Sequence, residues 1–139
     1  MGKYFTISEL TSSSTAKSRG IDNTPNDEQV RNLEALIKTL DVIREHYGSP
    51  IKVTSGFRSW QLNQAVGGSK TSQHSLGQAA DLVCDNNTEL FDLIIELKDK
   101  GIINFTQLIN EKPDQYGNPT WVHLGVDPNN LKNQILTIK

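Results

Sequence analysis

The chain has 139 residues, of which 14 are basic and 16 acidic, for a net charge of −2. That length suits one domain, residues 1–139, with its own core, and is short for two. Hydrophobic residues make up 35% and the mean hydropathy is −0.47, so we expect a soluble, loop-rich monomer. No basic stripe is visible, which argues against nucleic acid as a partner. The longest apolar runs, such as residues 93–95, are far too short to span a bilayer, so we expect no membrane insertion.

Helix signals dominate the first third of the chain. Residues 6–9, Thr-Ile-Ser-Glu, have the form of a capping box that opens a short helix, whereas the serine run at 12–14 is poor helix material. Thr24 then predicts an N-cap, with Pro25 in the first helical position. Apolar residues recur at three- and four-residue spacing from there to Tyr47, which predicts a long helix with one face on the core.

Short strands and helices follow in alternation. Residues 51–55 predict a strand, and residues 59–66 a brief helix that begins with a serine cap. Residues 81–83 are typical of the start of a buried strand. Asn87 or Thr88 is then expected to cap a further helix, which also carries an apolar face.

A hairpin is predicted near the end of the chain. Residues 105–110 and 120–126 have the composition of strands, and residues 112–119 between them are rich in turn-forming Pro, Asp, Gly and Asn. Residues 135–138 are expected to add one edge strand.

Two of the three histidines, His74 and His123, fall in segments that we predict to be ordered. Together with Asp81 they form a set of two neutral imidazoles and one carboxylate, which suits Zn²⁺ and leaves a fourth position open, as in catalytic zinc sites. We expect His74 to lie in a loop and Asp81 in the incoming strand. The alternative is a histidine hydrogen-bonded to an aspartate with no metal. His46 is expected to stabilise the end of the long helix.

Several separated motifs point to one family. Residues 72–81 contain Ser-x-His-x-x-Gly-x-Ala-x-Asp, and residues 121–123 read Trp-x-His. Upstream stand Ser-Gly-Phe-Arg-Ser at 55–59, then Asn63, then Val-Gly-Gly at 66–68. In these motifs and their order the chain resembles the zinc D-Ala-D-Ala carboxypeptidase and L-alanyl-D-glutamate endopeptidase family, peptidase family M15, and its phage endolysin-like subgroup.

The resemblance implies both a fold and an activity. The fold is α+β, with helices packed on a small, mainly antiparallel sheet, as in the zinc D-Ala-D-Ala peptidase (hedgehog-like) fold. The activity is that of a metallopeptidase that hydrolyses stem or cross-link peptides of bacterial peptidoglycan at a bond involving a D-amino acid. The residues that map onto the family's zinc ligands are His74, Asp81 and His123.

Three further residues are expected to contact the substrate. Arg58 maps onto an arginine near the metal, and its guanidinium can grip a carboxylate with two hydrogen bonds and stabilise an oxyanion. Ser72 and Gln73 are expected to line the cleft.

A zinc peptidase also needs a general base. Many members of the family place an acid three residues before the second histidine, where this chain has Thr120. Glu111 is the predicted substitute, because pairing of Ile109 with His123 would put Glu111 on the His123 face of the sheet. A one-residue slip would separate them. Asp114, in the turn, is the second candidate.

Two alternatives stay open from the sequence. The ligand set does not separate a carboxypeptidase from an endopeptidase, and the missing acid leaves room for a non-catalytic, zinc-holding cell-wall-binding or virion structural module. No secretory signal is visible at the N-terminus. We therefore expect the protein to collect in the cytoplasm and to act on the cell wall after release, as phage-encoded endolysins do.

Overall fold

The computed structural model describes residues 3–139 and consists of helices packed on a five-stranded mixed sheet. The helices are α1 (Ile7–Thr11), α2 (Ser14–Arg19), α3 (Asp27–Tyr47), α4 (Trp60–Ala65) and α5 (Asn87–Asp99), with a 3₁₀ turn at Gln73–Leu76. The strands are β1 (Lys52–Ser55), β2 (Ala79–Val83), β3 (Gln107–Glu111), β4 (Trp121–Gly125) and β5 (Gln134–Ile138). Among the described residues, no helix has the length and apolar character needed to cross a membrane.

The strand order is β1-β2-β4-β3-β5. Strands β3 and β4 form the predicted hairpin, and β5 lies at the edge that the tail was expected to occupy, parallel to β3. The remaining neighbours, β1 with β2 and β2 with β4, are antiparallel. The α+β class and the mainly antiparallel sheet are therefore confirmed.

Two helix starts differ from the prediction. Asn26, and not Thr24, is the N-cap of α3, because its side chain accepts from the Gln29 amide at 2.8 Å while Gln29 Oε1 accepts from the Asn26 amide at 2.8 Å. This reciprocal pair satisfies two backbone donors at once. Likewise Asn86, and neither Asn87 nor Thr88, caps α5 by accepting from Glu89 N at 3.0 Å.

The serine run is more ordered than its composition indicates. Ser12 and Ser13 have extended backbones, and Ser13 Oγ accepts from the Ala16 amide at 3.1 Å to cap α2. Serine is a poor residue inside a helix but a good one at its start. The run therefore separates α1 from α2 and begins the second helix.

One face of the sheet forms the main core. Its strand residues alternate along the chain and pack against the apolar sides of α3 and α5. The fully buried members on the central strands are Ala80, Leu82, Leu108, Val122 and Leu124. The intervening residues of the same strands point to the opposite face, which carries the polar groups described next.

Candidate metal centre and active site

Three of the residues singled out in the sequence meet on the second face of the sheet. Asp81 and His123 are paired across β2 and β4, and His74 approaches from the 3₁₀ turn. One ligand atom from each of the three lies within 4.8 Å of the other two. His46 lies elsewhere, exposed at the end of α3 with Nδ1 2.9 Å from the Val42 carbonyl, as expected of a residue at a helix end.

The spacing of these atoms fits a tetrahedral cation. His74 Nε2 is 3.4 Å from Asp81 Oδ2, and His123 Nδ1 is 3.0 Å from Asp81 Oδ1. Ligands at about 2.0–2.1 Å from a tetrahedral zinc ion are about 3.3 Å apart. Two imidazole nitrogens and one carboxylate oxygen are also ligands that zinc accepts. The three side chains therefore suit zinc in both chemistry and size.

His74 is oriented by backbone groups around it. Its Nδ1 lies 2.8 Å from the Gly56 carbonyl, which can only accept, so Nδ1 carries a proton and Nε2 faces Asp81. The His74 carbonyl accepts from Arg58 N at 3.1 Å, and the His74 amide donates to Ser72 Oγ at 3.2 Å. The side chain is only 5% exposed. The imidazole is thus fixed in the tautomer that a metal requires.

The long helix α3 holds the 3₁₀ turn in place. Gln29 Nε2 donates to the Ser75 carbonyl at 3.0 Å, and Asn32 Nδ2 donates to the Leu76 carbonyl at 2.8 Å. Gly77 ends the turn with a positive φ of 76°, and a Cβ there would lie 2.7 Å from the Gln29 carbonyl. The helix therefore approaches the turn so closely that only glycine fits.

The carboxylate of Asp81 is kept ionised by its neighbours. Burial alone would raise its pKa, but hydrogen bonds with His123 and His74, together with their charges, lower the pKa of Asp81 well below its ordinary value. An anionic carboxylate between two imidazoles is the form that binds a divalent cation.

Arg58 lies beside this cluster with part of its charge buried. Its Nε atom is buried and has no hydrogen-bond partner among the described residues. Burial lowers the pKa of the Arg58 guanidinium, and the negative charge of Asp81 acts in the opposite direction. A buried guanidinium donor without a partner is costly.

Glu111 lies on the same face as the three candidate ligands. The observed register pairs Ile109 with His123 and Glu111 with Trp121, so these four side chains share one face. Burial is the main cause that raises the pKa of Glu111, and the charges of His123 and Asp81 also act on it. Glu111 therefore sits within electrostatic reach of the cluster.

The alternative base, Asp114, is occupied in the turn. Its Oδ1 accepts from Tyr116 N at 2.9 Å and Asn118 N at 3.0 Å. The hydrogen bond from the Asn118 backbone is the main cause that lowers the pKa of Asp114. Thr120 donates its hydroxyl to the Lys112 carbonyl at 2.6 Å and so closes the hairpin. These contacts organise the turn and favour Glu111 over Asp114.

Ser72 and Gln73, the two residues predicted to line the cleft, both pack close to His74. Ser72 caps the 3₁₀ turn through the His74 amide. Gln73 has a buried Oε1 with no hydrogen-bond partner in the part of the chain that the structure describes, and a Cβ on Gly125 would lie 2.3 Å from that atom. Ser72 therefore positions His74, and Gln73 packs against β4 next to it.

The sequence model of the Peptidase M15 family matches residues 3–124. The chain belongs to the peptidase M15 family. A search of curated proteins found no match. The matched region of this M15 peptidase contains the three candidate ligands as well as Arg58 and Glu111, and β5 lies outside it.

Two supports of the metal centre in this M15 peptidase were not predicted from the sequence. Gly56 lies in the Ser-Gly-Phe-Arg-Ser motif at residues 55–59. No sequence pattern, however, shows that its backbone oxygen accepts a hydrogen bond from His74, 18 residues later. Gln29 could have been found as the partner in the Asn26 capping box. Its second contact, with Ser75, spans 46 residues and has no local signal.

Proposed function

We propose that this M15 peptidase is a zinc enzyme that hydrolyses a peptide bond involving a D-amino acid in bacterial peptidoglycan. The convergence of His74, Asp81 and His123 on one sheet face, with ligand spacing suited to zinc, is the observation that carries the proposal. When bound, zinc supplies Lewis acidity for the scissile carbonyl and lowers the pKa of water. Action on the cell wall is part of the proposal.

The remaining roles fall to side chains next to the cluster. Glu111 takes a proton from the attacking water and returns it to the leaving amine, a role that suits a carboxyl whose pKa is raised by burial. Arg58, whose charge lies within reach of Asp81, donates from its guanidinium to the substrate carbonyl or carboxylate and stabilises negative charge in the transition state.

The test is hydrolysis of purified peptidoglycan together with elemental analysis of the protein. We expect about one zinc per chain and new free amino groups that a chelator prevents from forming. Chromatography of the products separates two outcomes: free D-alanine indicates a carboxypeptidase, and larger fragments indicate an endopeptidase.

Glu111→Gln tests the base. We expect zinc to be retained and turnover to fall about 10²–10⁴-fold, the usual contribution of general acid–base catalysis. Glu34→Gln, an exposed glutamate on α3, is the matched control and should keep full turnover. If zinc binds and the wild-type protein cleaves nothing, the non-catalytic zinc-holding module is the better description, because Thr120 stands where many relatives carry an acid.

A further inference from the structure

A groove of about 540 Å³ lies beside β1. It is lined by all four residues of β1, by residues 12–15 and by Arg58. Residues 12 and 13 lie between α1 and α2, and residues 14 and 15 begin α2. Its apolar lining residues are Val53, Phe57, Leu62 and Val66, of which Phe57 and Leu62 are almost completely buried. The edge of β1 therefore forms one side of the groove, and the hydroxyl-bearing residues 12–15 form another. The Arg58 guanidinium also lies among the lining groups.

One side of the groove offers backbone hydrogen-bonding groups. β1 is the first strand in the sheet order and, among the described residues, pairs only with β2. Its other edge therefore has N–H and C=O groups that no neighbouring strand uses. Ser12 and Ser14 are exposed, and no hydrogen bond of either side-chain hydroxyl is found in the described part of the chain.

The groove approaches the candidate metal centre at Arg58. Ser55, at the end of β1, is paired with Asp81 across the two strands. Arg58 lines the groove, donates its backbone N–H to the His74 carbonyl at 3.1 Å, and has its guanidinium within electrostatic reach of Asp81. A chain that lies along β1 therefore ends near Arg58, the lining residue that also adjoins the candidate ligands.

We propose that this groove binds an extended peptide segment of the substrate, which adds to β1 as an extra strand next to the scissile bond. The inference rests on the proposed function and deepens it. A free strand edge recognises a peptide backbone through regularly spaced hydrogen bonds. The four residues of β1 span about 13 Å, enough to pair with three or four substrate residues.

Peptide fits this groove better than the sugar strand of the same polymer. Phe57 is the one aromatic residue that lines it and is only 2% exposed, so no ring face is offered to a sugar. The charged lining residues Glu9, Lys52 and Arg58 are of both signs and match the amino and carboxylate groups of a peptide.

The test compares a long and a short substrate. The long one is a soluble stem peptide, and the short one contains only the two residues of the scissile bond. Ser12→Trp fills the groove and should raise KM for the long substrate about tenfold more than for the short one. Ser8→Trp, an exposed serine of α1 outside the groove, is the matched control and should alter neither. Ser14→Trp is a second groove variant, in case Ser12→Trp lowers the melting temperature.

Binding measured by amide NMR separates this inference from the proposed function. Titration of the zinc-loaded Glu111→Gln protein with the stem peptide should shift the signals of residues 12–15 and 52–55. Shifts confined to other residues, or equal KM changes for both substrates in both groove variants, would overturn the groove assignment. If the wild-type protein binds peptide in the groove but does not hydrolyse it, the proposed function fails while the groove assignment stands.

Discussion

His74 depends on a glycine 18 residues earlier. Gly56 accepts from His74 Nδ1, and its Cα packs so tightly against α1 that a Cβ would lie 2.3 Å from the Leu10 carbonyl oxygen and 3.1 Å from Leu10 Cα. The obstructing atoms are backbone and cannot swing aside. Any side chain at position 56 must therefore move either α1 or the carbonyl that orients the imidazole.

We predict that Gly56→Ala weakens both the fold and the metal site. Overpacking should cost about 1–3 kcal/mol of the free energy of unfolding, and the displaced carbonyl should lower zinc affinity about 10–100-fold. Gly20→Ala is the control: it has open space and only a positive φ of 65°, so it should cost about 1–2 kcal/mol and leave zinc affinity unchanged. Unfolding in denaturant and competition with a fluorescent chelator measure the two effects, and unchanged zinc affinity in Gly56→Ala would contradict the prediction.

Glu111 should oppose folding in the metal-free protein at neutral pH. Burial raises the pKa of Glu111 in the folded chain. An acid whose pKa rises on folding favours the folded state below its unfolded pKa, about 4.3, and loses that contribution as the pH rises through the folded pKa. Metal-free Glu111→Gln should therefore melt at the same or a higher temperature than the wild type at pH 7. Calorimetry at pH 7 and pH 4 checks this, and a clear loss of stability at pH 7 would mean that the ionised carboxylate makes contacts that favour folding.

At the level of elements, the side chain of Gln29 contacts both the N-terminal cap of α3 and the 3₁₀ turn that carries His74. Gln29 uses Oε1 to complete the capping box with Asn26 and Nε2 to hold the Ser75 carbonyl. The two roles can be separated by substitution, because Asn26 takes part only in the cap.

We predict that Gln29→Ala and Asn26→Ala each lower the free energy of unfolding by about 1 kcal/mol. Only Gln29→Ala should also weaken zinc binding, because it releases the turn that carries His74. Urea unfolding and zinc titration of both variants provide the comparison. Equal zinc affinity in the two variants would show that the Gln29 contact does not restrain the turn, which Asn32 also holds.

In the turn between β3 and β4, Asp114 is a charged residue with a structural role. Hydrogen bonds lower the pKa of Asp114, mainly the one from the Asn118 backbone. Its contribution to stability is therefore present above its unfolded pKa, about 3.9, and is lost as the pH falls through the folded pKa. We predict that Asp114→Ala melts below the wild type at neutral pH, that the gap closes in acid, and that turnover per bound zinc is unchanged. A large loss of turnover would instead make Asp114 the base.

Prediction from the sequence worked best where a signal is local. The periodic apolar face of α3 and the turn residues between β3 and β4 each lie within a short window, and the elements they predict are present. The N-cap of α3 was predicted at the wrong residue, because threonine and asparagine both cap helices well and Thr24 and Asn26 lie two residues apart. Only the reciprocal contact with Gln29 decides between them.

For the molecule as a whole, contacts between distant segments decided what could be predicted. The family motifs brought His74, Asp81 and His123 together without any knowledge of the strand order. The parallel pairing of β5 with β3 and the proximity of residues 12–15 to β1 have no such motif. They depend on how complete elements pack, which a reading of local patterns does not capture.

Zinc removal should abolish activity without unfolding the protein. The apolar core lies on the face of the sheet opposite the three candidate ligands, so the elements can pack without a metal. Zinc at 100 times its Kd should add about 2.7 kcal/mol to the free energy of unfolding. A chelator is therefore expected to lower the melting temperature while far-UV circular dichroism at 25 °C is retained. Loss of the spectrum at that temperature would mean that the metal is needed for folding.

On β2, β3 and β4, residues that point to the same face of the sheet are either all odd-numbered or all even-numbered. On β2, β3 and β4 the core side chains have even numbers, such as Leu82 and Leu124, whereas Asp81, Glu111 and His123 are odd. A combinatorial library confined to odd positions of these strands, leaving out Ala79, Ile109 and Gly125, would thus vary the chemistry and spare the packing. A single-codon deletion within β4 would exchange the two sets beyond it, and so would damage both at once.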